Sequence, residues 1–111
     1  MLHWYKIEQA EFLKKQGISE YKVGGRVICI TWLEDQFYAF SRKCPHAGAP
    51  LKNGWCEHGK VICSFHRHAF DLISGRGDPG QHNFISIYPT KYEENEYYVG
   101  LETGFWQRLF S

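Results

Sequence analysis

The chain has 111 residues, of which 43% are hydrophobic and 17% aromatic, which is enough apolar material for one modest core. Its 13 basic and 12 acidic residues give a formal charge of +1 at pH 7. This balance lacks the basic excess that neutralises phosphates, so nucleic acid is not an expected partner. No window approaches the ~20 apolar residues of a membrane-spanning helix, and the N-terminus has no basic segment followed by an apolar one. We expect one domain over residues 1–111 of a cytoplasmic protein with no membrane contact.

Short runs of β-branched and aromatic residues recur along the chain between turn signals. The turn sequences VGGR, EDQ and ENE separate neighbouring runs as hairpin turns do. Only residues 8–16 have helical composition, for one or two turns. An α/β arrangement would need helices between the strands, so the spacing predicts an all-β, antiparallel sandwich or barrel. The predicted strands are HWYKI, YKV, RVICITW, QFYAFS, KVICS, HAFDL, NFISIYP and EYYVGL.

Two segments, at about residues 43–59 and 63–83, interrupt this strand pattern and are rich in Gly, Pro, His and Cys. Loops on a rigid β scaffold often carry chemistry, so these segments are the candidate functional regions. Nothing signals secretion, and a domain of this size does not need disulfide bonds. Metal ligation is therefore the better interpretation of some of the four cysteines. Cys29 is the exception, because a free cysteine within RVICITW is most often a small buried hydrophobe.

The candidate metal ligands fall in three groups, CPH, CEH and CSFHRH, and exceed what one site needs. One possible set is Cys56, His58, Cys63 and His66, which resembles a zinc knuckle by ligand type because zinc accepts mixed sulfur and nitrogen ligands. This set would require residues 60–63 to bend sharply instead of forming a strand.

The other possible set pairs CPH with CSFH. It comprises Cys44, His46, Cys63 and His66, with sixteen residues between the two pairs. That interval has room for a loop, a turn and a strand, so two separate loops could face each other with one cysteine and one histidine apiece.

The second spacing resembles the Rieske iron–sulfur family. CPHAGAPL, three glycines, VICSFH, FDL and SGRGDPG stand in the order in which a Rieske-type ferredoxin places them. In that family two cysteines bind one iron and two histidines bind the other iron of a [2Fe–2S] cluster. The resemblance implies one such cluster, with Cys44 and Cys63 on the first iron and His46 and His66 on the second. It also implies an antiparallel β domain with a two-loop cluster-binding subdomain.

Residues around the expected cluster imply a low redox potential. High-potential relatives place a disulfide, a serine and a tyrosine beside the cluster, and this chain departs at all four positions. Hydrogen bonds to cluster sulfurs stabilise the reduced form, so losing donors lowers the potential. Ala49 and Phe65 stand at the disulfide positions, His68 at the serine position and Phe70 at the tyrosine position. Pro79 in GRGDPG resembles the proline loop that covers a Rieske cluster.

By resemblance, the protein is an electron-transfer component and not itself an enzyme. Such ferredoxins carry one electron from a reductase to a terminal oxygenase of the dioxygenase type, through brief contacts. The chain has no flavin or nicotinamide fingerprint, and no small-molecule substrate of its own is expected. We expect docking at the outer edges of His46 and His66, near Pro45, Trp55 and Arg67. Arg67 stands where the family often has glycine.

Two alternative functions remain. A redox-sensing regulator would use the same cluster to signal to a partner. A zinc-binding structural or interaction module would use Cys56 and His58, which the Rieske interpretation treats as ordinary loop residues. The aromatic tail GFWQRLF, residues 104–110, is expected to fold back over exposed sheet or to form an interaction patch.

Overall fold

The computed structural model describes residues 2–45 and 48–102, and nearly all regular structure there is β-strand. The only α-helix among these residues, α1 (Ala10–Leu13), is one turn long, and a 3-10 helix covers Leu51–Asn53. No helix in this part of the chain has the length and apolar character of a transmembrane segment. The strands are β1 (Leu2–Lys6), β2 (Ser19–Val23), β3 (Arg26–Leu33), β4 (Gln36–Phe40), β5 (Trp55–Glu57), β6 (Lys60–Ile62), β7 (Ala69–Asp71), β8 (Ile87–Tyr88), β9 (Thr90–Glu93) and β10 (Glu96–Glu102).

The strands form three sheets, ordered β1-β10-β9, β2-β3-β4-β8 and β5-β6-β7, and every pairing in them is antiparallel. The predicted all-β antiparallel fold is confirmed. Four hairpins close with two-residue turns in which both residues have positive φ, the type I′ geometry that matches strand twist. VGGR, EDQ and ENE are three of these turns, as predicted. The turn pairs are Gly24-Gly25, Glu34-Asp35, His58-Gly59 and Glu94-Asn95.

The four-stranded sheet separates two hydrophobic cores. Along β3, Ile28 and Ile30 face one core and Cys29 faces the other, because successive side chains of a strand alternate between faces. Ala39 and Phe40 of β4 divide in the same way. The first core, here the basal core, also contains Val99 and Leu101 of β10. The second, here the loop-side core, also contains Cys44, Leu51, Val61, Cys63, Phe70, Leu72 and Ile85. The prediction that Cys29 is a buried core residue is confirmed.

Three elements differ from the prediction. Strand β5 lies inside the segment expected to be the first loop, and it pairs with β6. Strand β9 is a polar stretch that the composition does not mark as a strand. The run NFISIYP forms only the two-residue strand β8, and Phe84 in that run is 70% exposed. The long strand expected there is wrong, because only Ile87 and Tyr88 pair with β4.

Candidate metal centre

Cys44 and Cys63, which lie far apart in sequence, are neighbours in the structure. Both are completely buried in the loop-side core, and the Cys44 thiol lies close enough to raise the pKa of the Cys63 thiol. Burial raises the pKa of the Cys63 thiol, and the adjacent Cys44 sulfur raises this pKa further. The Phe65 N–H, which donates to the Cys63 sulfur at 3.4 Å, lowers the pKa. Two adjacent buried thiols suit a bound metal ion, because coordination stabilises thiolates that burial and mutual repulsion disfavour.

The loop that contains Cys44 is tightly closed. The Cys44 N–H donates to the Ala49 carbonyl at 2.8 Å, and the Gly48 N–H donates to the Cys44 carbonyl at 2.7 Å. Gly48 has φ of 72°, a value that glycine adopts without strain. Ala49 packs against the loop-side core, and Pro45 is exposed. His46 lies outside the described residues.

The loop that follows Cys63 is closed by a hydrogen bond in which the Cys63 N–H donates to the His68 carbonyl at 2.8 Å. His66 and Arg67 at its tip are exposed and have φ values of 65° and 57°. Glycine favours this left-handed region, so an arginine at position 67 holds a backbone conformation that L side chains rarely adopt. The Phe65 ring lies 4.7 Å from the His66 ring.

His66 does not join the cysteine pair in a ready-made metal site. Among residues 2–45 and 48–102, no three His, Cys, Asp or Glu side chains come together as a group that could hold one metal ion. The structure therefore brings two of the four expected ligands together and places the third, His66, on the exposed tip of the neighbouring loop.

Hydrogen bonds to Ala69 attach the segment around Pro79 to the end of the loop that follows Cys63. The Gln81 side chain accepts the Ala69 N–H at 3.0 Å and donates to the Ala69 carbonyl at 3.2 Å. The Asp78 N–H donates to the same carbonyl at 3.1 Å, and the Asp78 carboxylate pairs with Lys60 at 2.7 Å. Sequence reasoning missed Gln81, because no local motif indicates a side chain that pairs with a backbone twelve residues away.

Other predicted site residues divide between core and surface. Phe70 is completely buried in the same core as Cys44 and Cys63, and His68 is half-buried. Trp55 and Arg67 meet at the surface, where the guanidinium lies 5.8 Å from the centre of the indole ring.

The zinc alternative is not supported by the geometry. All four of its ligands lie in the described part of the chain, and no three of them come together there. The segment Lys60–Ile62 is strand β6 and does not bend. Cys56 is half-buried on β5 beside the Thr31 hydroxyl, and burial raises its pKa to about 11. The interpretation of Cys56 as a loop residue is therefore wrong, whereas His58 does lie in the exposed β5–β6 turn.

Comparison with known families identifies the type of metal centre. Residues 3–88 match the model of the Rieske [2Fe-2S] domain. The chain belongs to the Rieske [2Fe–2S] domain family. It carries one cluster of the Rieske type, and the buried pair Cys44 and Cys63 supplies thiols of the kind that such a cluster needs. The family resemblance and the cofactor predicted from the sequence are confirmed.

Relatives of this Rieske chain include larger proteins and small ferredoxins. Human apoptosis-inducing factor 3 is 29% identical over 89 residues, which are 78% of this chain but only 14% of the human protein. The ferredoxin component of the naphthalene 1,2-dioxygenase system of Pseudomonas aeruginosa is 30% identical over 81 residues, 71% of this chain and 77% of that component. The solved complex of reduced oxygenase and oxidised ferredoxin in carbazole 1,9a-dioxygenase aligns with a TM-score of 0.75 and 26% identity, over 92% of this chain and 96% of that one.

Proposed function

We propose that this chain is a cytoplasmic one-electron carrier, a single Rieske domain over residues 1–111 that passes electrons from a reductase to a terminal oxygenase. The observation that carries the proposal is the Rieske family match in a chain that spans most of a dioxygenase ferredoxin component. When bound, the cluster supplies reversible acceptance of one electron. The protein is then an electron-transfer component, and catalysis belongs to the oxygenase.

We propose Cys44 and Cys63 as ligands of one iron and His46 and His66 as ligands of the other. The adjacent, buried thiols of Cys44 and Cys63 support the first pair. Exposure of His66 at a loop tip supports the second, because an imidazole can bind iron through one nitrogen and present the other to a partner. The fold would then keep water from the sulfur ligands and leave the histidine edge open for electron exchange.

We propose the docking surface beside His66, with Pro45, Trp55 and Arg67. All three are exposed, and Trp55 and Arg67 are in contact with each other. Aromatic and arginine side chains are enriched where proteins bind one another.

The ligand assignment is tested with matched substitutions of the same residue types. Cys44→Ser and His66→Ala should abolish the visible absorption of the cluster and its iron content. Cys56→Ser and His58→Ala should retain both, because these residues lie on the β5–β6 hairpin and belong to no proposed ligand pair. Loss of iron in the Cys56 variant with retention in the Cys44 variant would contradict the assignment.

The carrier function is tested by multiple turnover. At catalytic concentration the holoprotein should pass many electrons per molecule from a flavoprotein ferredoxin reductase to cytochrome c. A redox sensor has no need of fast exchange, so a cluster that is reduced once and then exchanges electrons slowly would contradict the carrier function.

A further inference from the structure

Charge is divided unevenly between the two parts of this fold. Residues 41–84, which contain β5 to β7 and both loops, carry six basic and three acidic residues, a net charge of +3. The other described residues, 2–40 and 85–102, carry six basic and nine acidic residues, a net charge of −3. A nearly neutral molecule therefore has a positive end, and that end contains Cys44 and Cys63.

Several of these positive charges have no acidic partner among the described residues. Asp78 is paired with Lys60 at 2.7 Å, so these two charges cancel locally. In residues 2–45 and 48–102, no ion pair involves Arg67, Arg76 or Lys43, and all three are exposed. The electrostatic field of this end is consequently available to an approaching molecule.

Arg67 places a positive charge beside His66, where electrons are expected to leave the cluster. It directly follows His66, and its guanidinium lies 5.8 Å from the centre of the Trp55 ring. A cation–π contact of this kind favours one position of an otherwise flexible side chain. Phe65, 52% exposed, places its ring 4.7 Å from the His66 ring. The surface around His66 is therefore aromatic and carries the positive charge of Arg67. Its one neighbouring carboxylate among the described contacts of Trp55 is that of Glu57, which accepts the Trp55 Nε1–H at 2.9 Å.

We propose that the surface formed by Trp55, Phe65, His66 and Arg67 docks an acidic patch on the partner protein. This inference rests on the proposed electron-carrier function and adds the chemistry of the partner. A cluster held by two thiolates and two neutral imidazoles is uncharged when oxidised and gains one negative charge when reduced. The net charge of +3 on residues 41–84 is larger than this change of one charge, so the surface attracts an acidic partner in both redox states. Complementary charge mainly raises the association rate and makes it sensitive to salt.

The test uses the reduced holoprotein and two small oxidants of opposite charge, hexacyanoferrate(III) and tris(phenanthroline)cobalt(III). Each takes one electron from the cluster, which is oxidised while Fe(III) becomes Fe(II) or Co(III) becomes Co(II). Stopped-flow rate constants are measured from low to high ionic strength. If the surface around His66 is positive, the rate constant for hexacyanoferrate(III) falls about threefold or more as the salt concentration rises. The rate constant for tris(phenanthroline)cobalt(III) increases over the same range.

Charge variants locate the effect. Arg67→Gln should reduce the salt dependence of the reaction with hexacyanoferrate(III). Lys22→Gln, which removes the same charge from an exposed position on β2, should leave it nearly unchanged. A rate constant for the anion that rises or stays constant as salt increases, or equal effects of the two variants, would overturn the docking proposal alone. A holoprotein that transfers no electron to either oxidant would overturn the carrier function and, with it, the docking proposal.

Discussion

The side chain of Gln81 takes the place of a neighbouring strand for Ala69. Its oxygen accepts the Ala69 N–H at 3.0 Å, and its nitrogen donates to the Ala69 carbonyl at 3.2 Å. The same nitrogen donates to the Asn83 side-chain oxygen at 3.1 Å. Ala69 opens β7, directly after the loop that contains Cys63 and His66. A single amide thus joins the segment around Pro79 to the end of the loop that contains Cys63 and His66.

Replacing Gln81 by alanine should weaken this junction. Gln81→Ala leaves a half-buried backbone N–H and carbonyl of Ala69 without their side-chain partner, which should lower the free energy of unfolding by about 2 kcal/mol. Iron should also be lost faster to a chelator, because the loop would open more often. Denaturant titration and the decay of cluster absorption measure both effects. Gln16→Ala, at an exposed position, is the control, and equal behaviour of the two variants would contradict the role of Gln81.

A second prediction concerns Arg67, whose backbone lies in the left-handed region and whose side chain contacts the Trp55 ring. Both Arg67→Ala and Arg67→Gly lose the contact with Trp55. Alanine keeps the conformational free-energy penalty of a φ of 57°, whereas glycine removes it. The glycine variant should therefore be more stable than the alanine variant by about 1 kcal/mol. Thermal or denaturant unfolding of the two holoproteins tests this order. Equal stability would show that the tip of the loop does not hold Arg67 in the left-handed region.

Phe70 should control the redox potential. The ring is completely buried in the same core as Cys44 and Cys63, so Phe70→Tyr adds a hydroxyl donor to the core that contains the proposed sulfur ligands. We expect the midpoint of the native cluster in the lower part of the Rieske range, below about 0 mV, and a higher value in Phe70→Tyr because a hydrogen bond to sulfur favours the reduced form. Phe37→Tyr adds the same hydroxyl in the basal core and should leave the midpoint unchanged. Redox titration of the three proteins decides, and a native midpoint well above zero would contradict the low potential.

Asp71 should make stability depend on pH. Its carboxylate accepts the Ser74 N–H at 2.9 Å and the Ile73 N–H at 2.8 Å, and these bonds hold its pKa below the usual value. A lowered pKa in the folded state means that the ionised group stabilises the fold above the unfolded value of about 3.9, and that this contribution is lost as pH falls through the folded pKa. The effect is small, because the carboxylate is accessible to water.

The matched variant for this prediction is Asp71→Asn, which keeps the shape and cannot ionise. The native protein should be the more stable of the two at neutral pH, and the difference should shrink as the pH falls below about 4. Denaturant unfolding of both proteins at each pH measures it. A difference that stays constant across this range would show that ionisation of Asp71 contributes nothing.

Most of the strands around the basal core follow from local sequence, and the sheet β5-β6-β7 does not. Gly24 and Gly25 readily adopt the positive φ of a type I′ turn, so the β2–β3 hairpin is predictable from VGGR. Strand β5 has only three residues, and pairing with β6 creates it. Gly54, directly before β5, lies so close to the Ile62 carbonyl that a Cβ would collide with that oxygen. No local pattern reveals such an approach.

The site was predictable where it depends on ligand type and spacing. Cys44 and Cys63 are neighbours, as the two-loop interpretation requires, and the family match agrees with the motif that contains them. The contact between Gln81 and Ala69 was not predictable, because it depends on how a distant segment packs onto β7. The ligand roles of Cys44, His46, Cys63 and His66 stay predictions, and the tail at residues 104–110 lies outside the described residues.

The central claim is that two cysteines and two histidines hold a [2Fe–2S] cluster that carries single electrons. It is tested most directly by the iron, sulfide and zinc content of anaerobically purified protein, with pulsed EPR after reduction by one electron per chain. The account predicts two iron and two sulfide atoms per chain, negligible zinc, and an EPR signal coupled to histidine nitrogen. Zinc without sulfide, or a reduced cluster with no coupling to nitrogen, would contradict it.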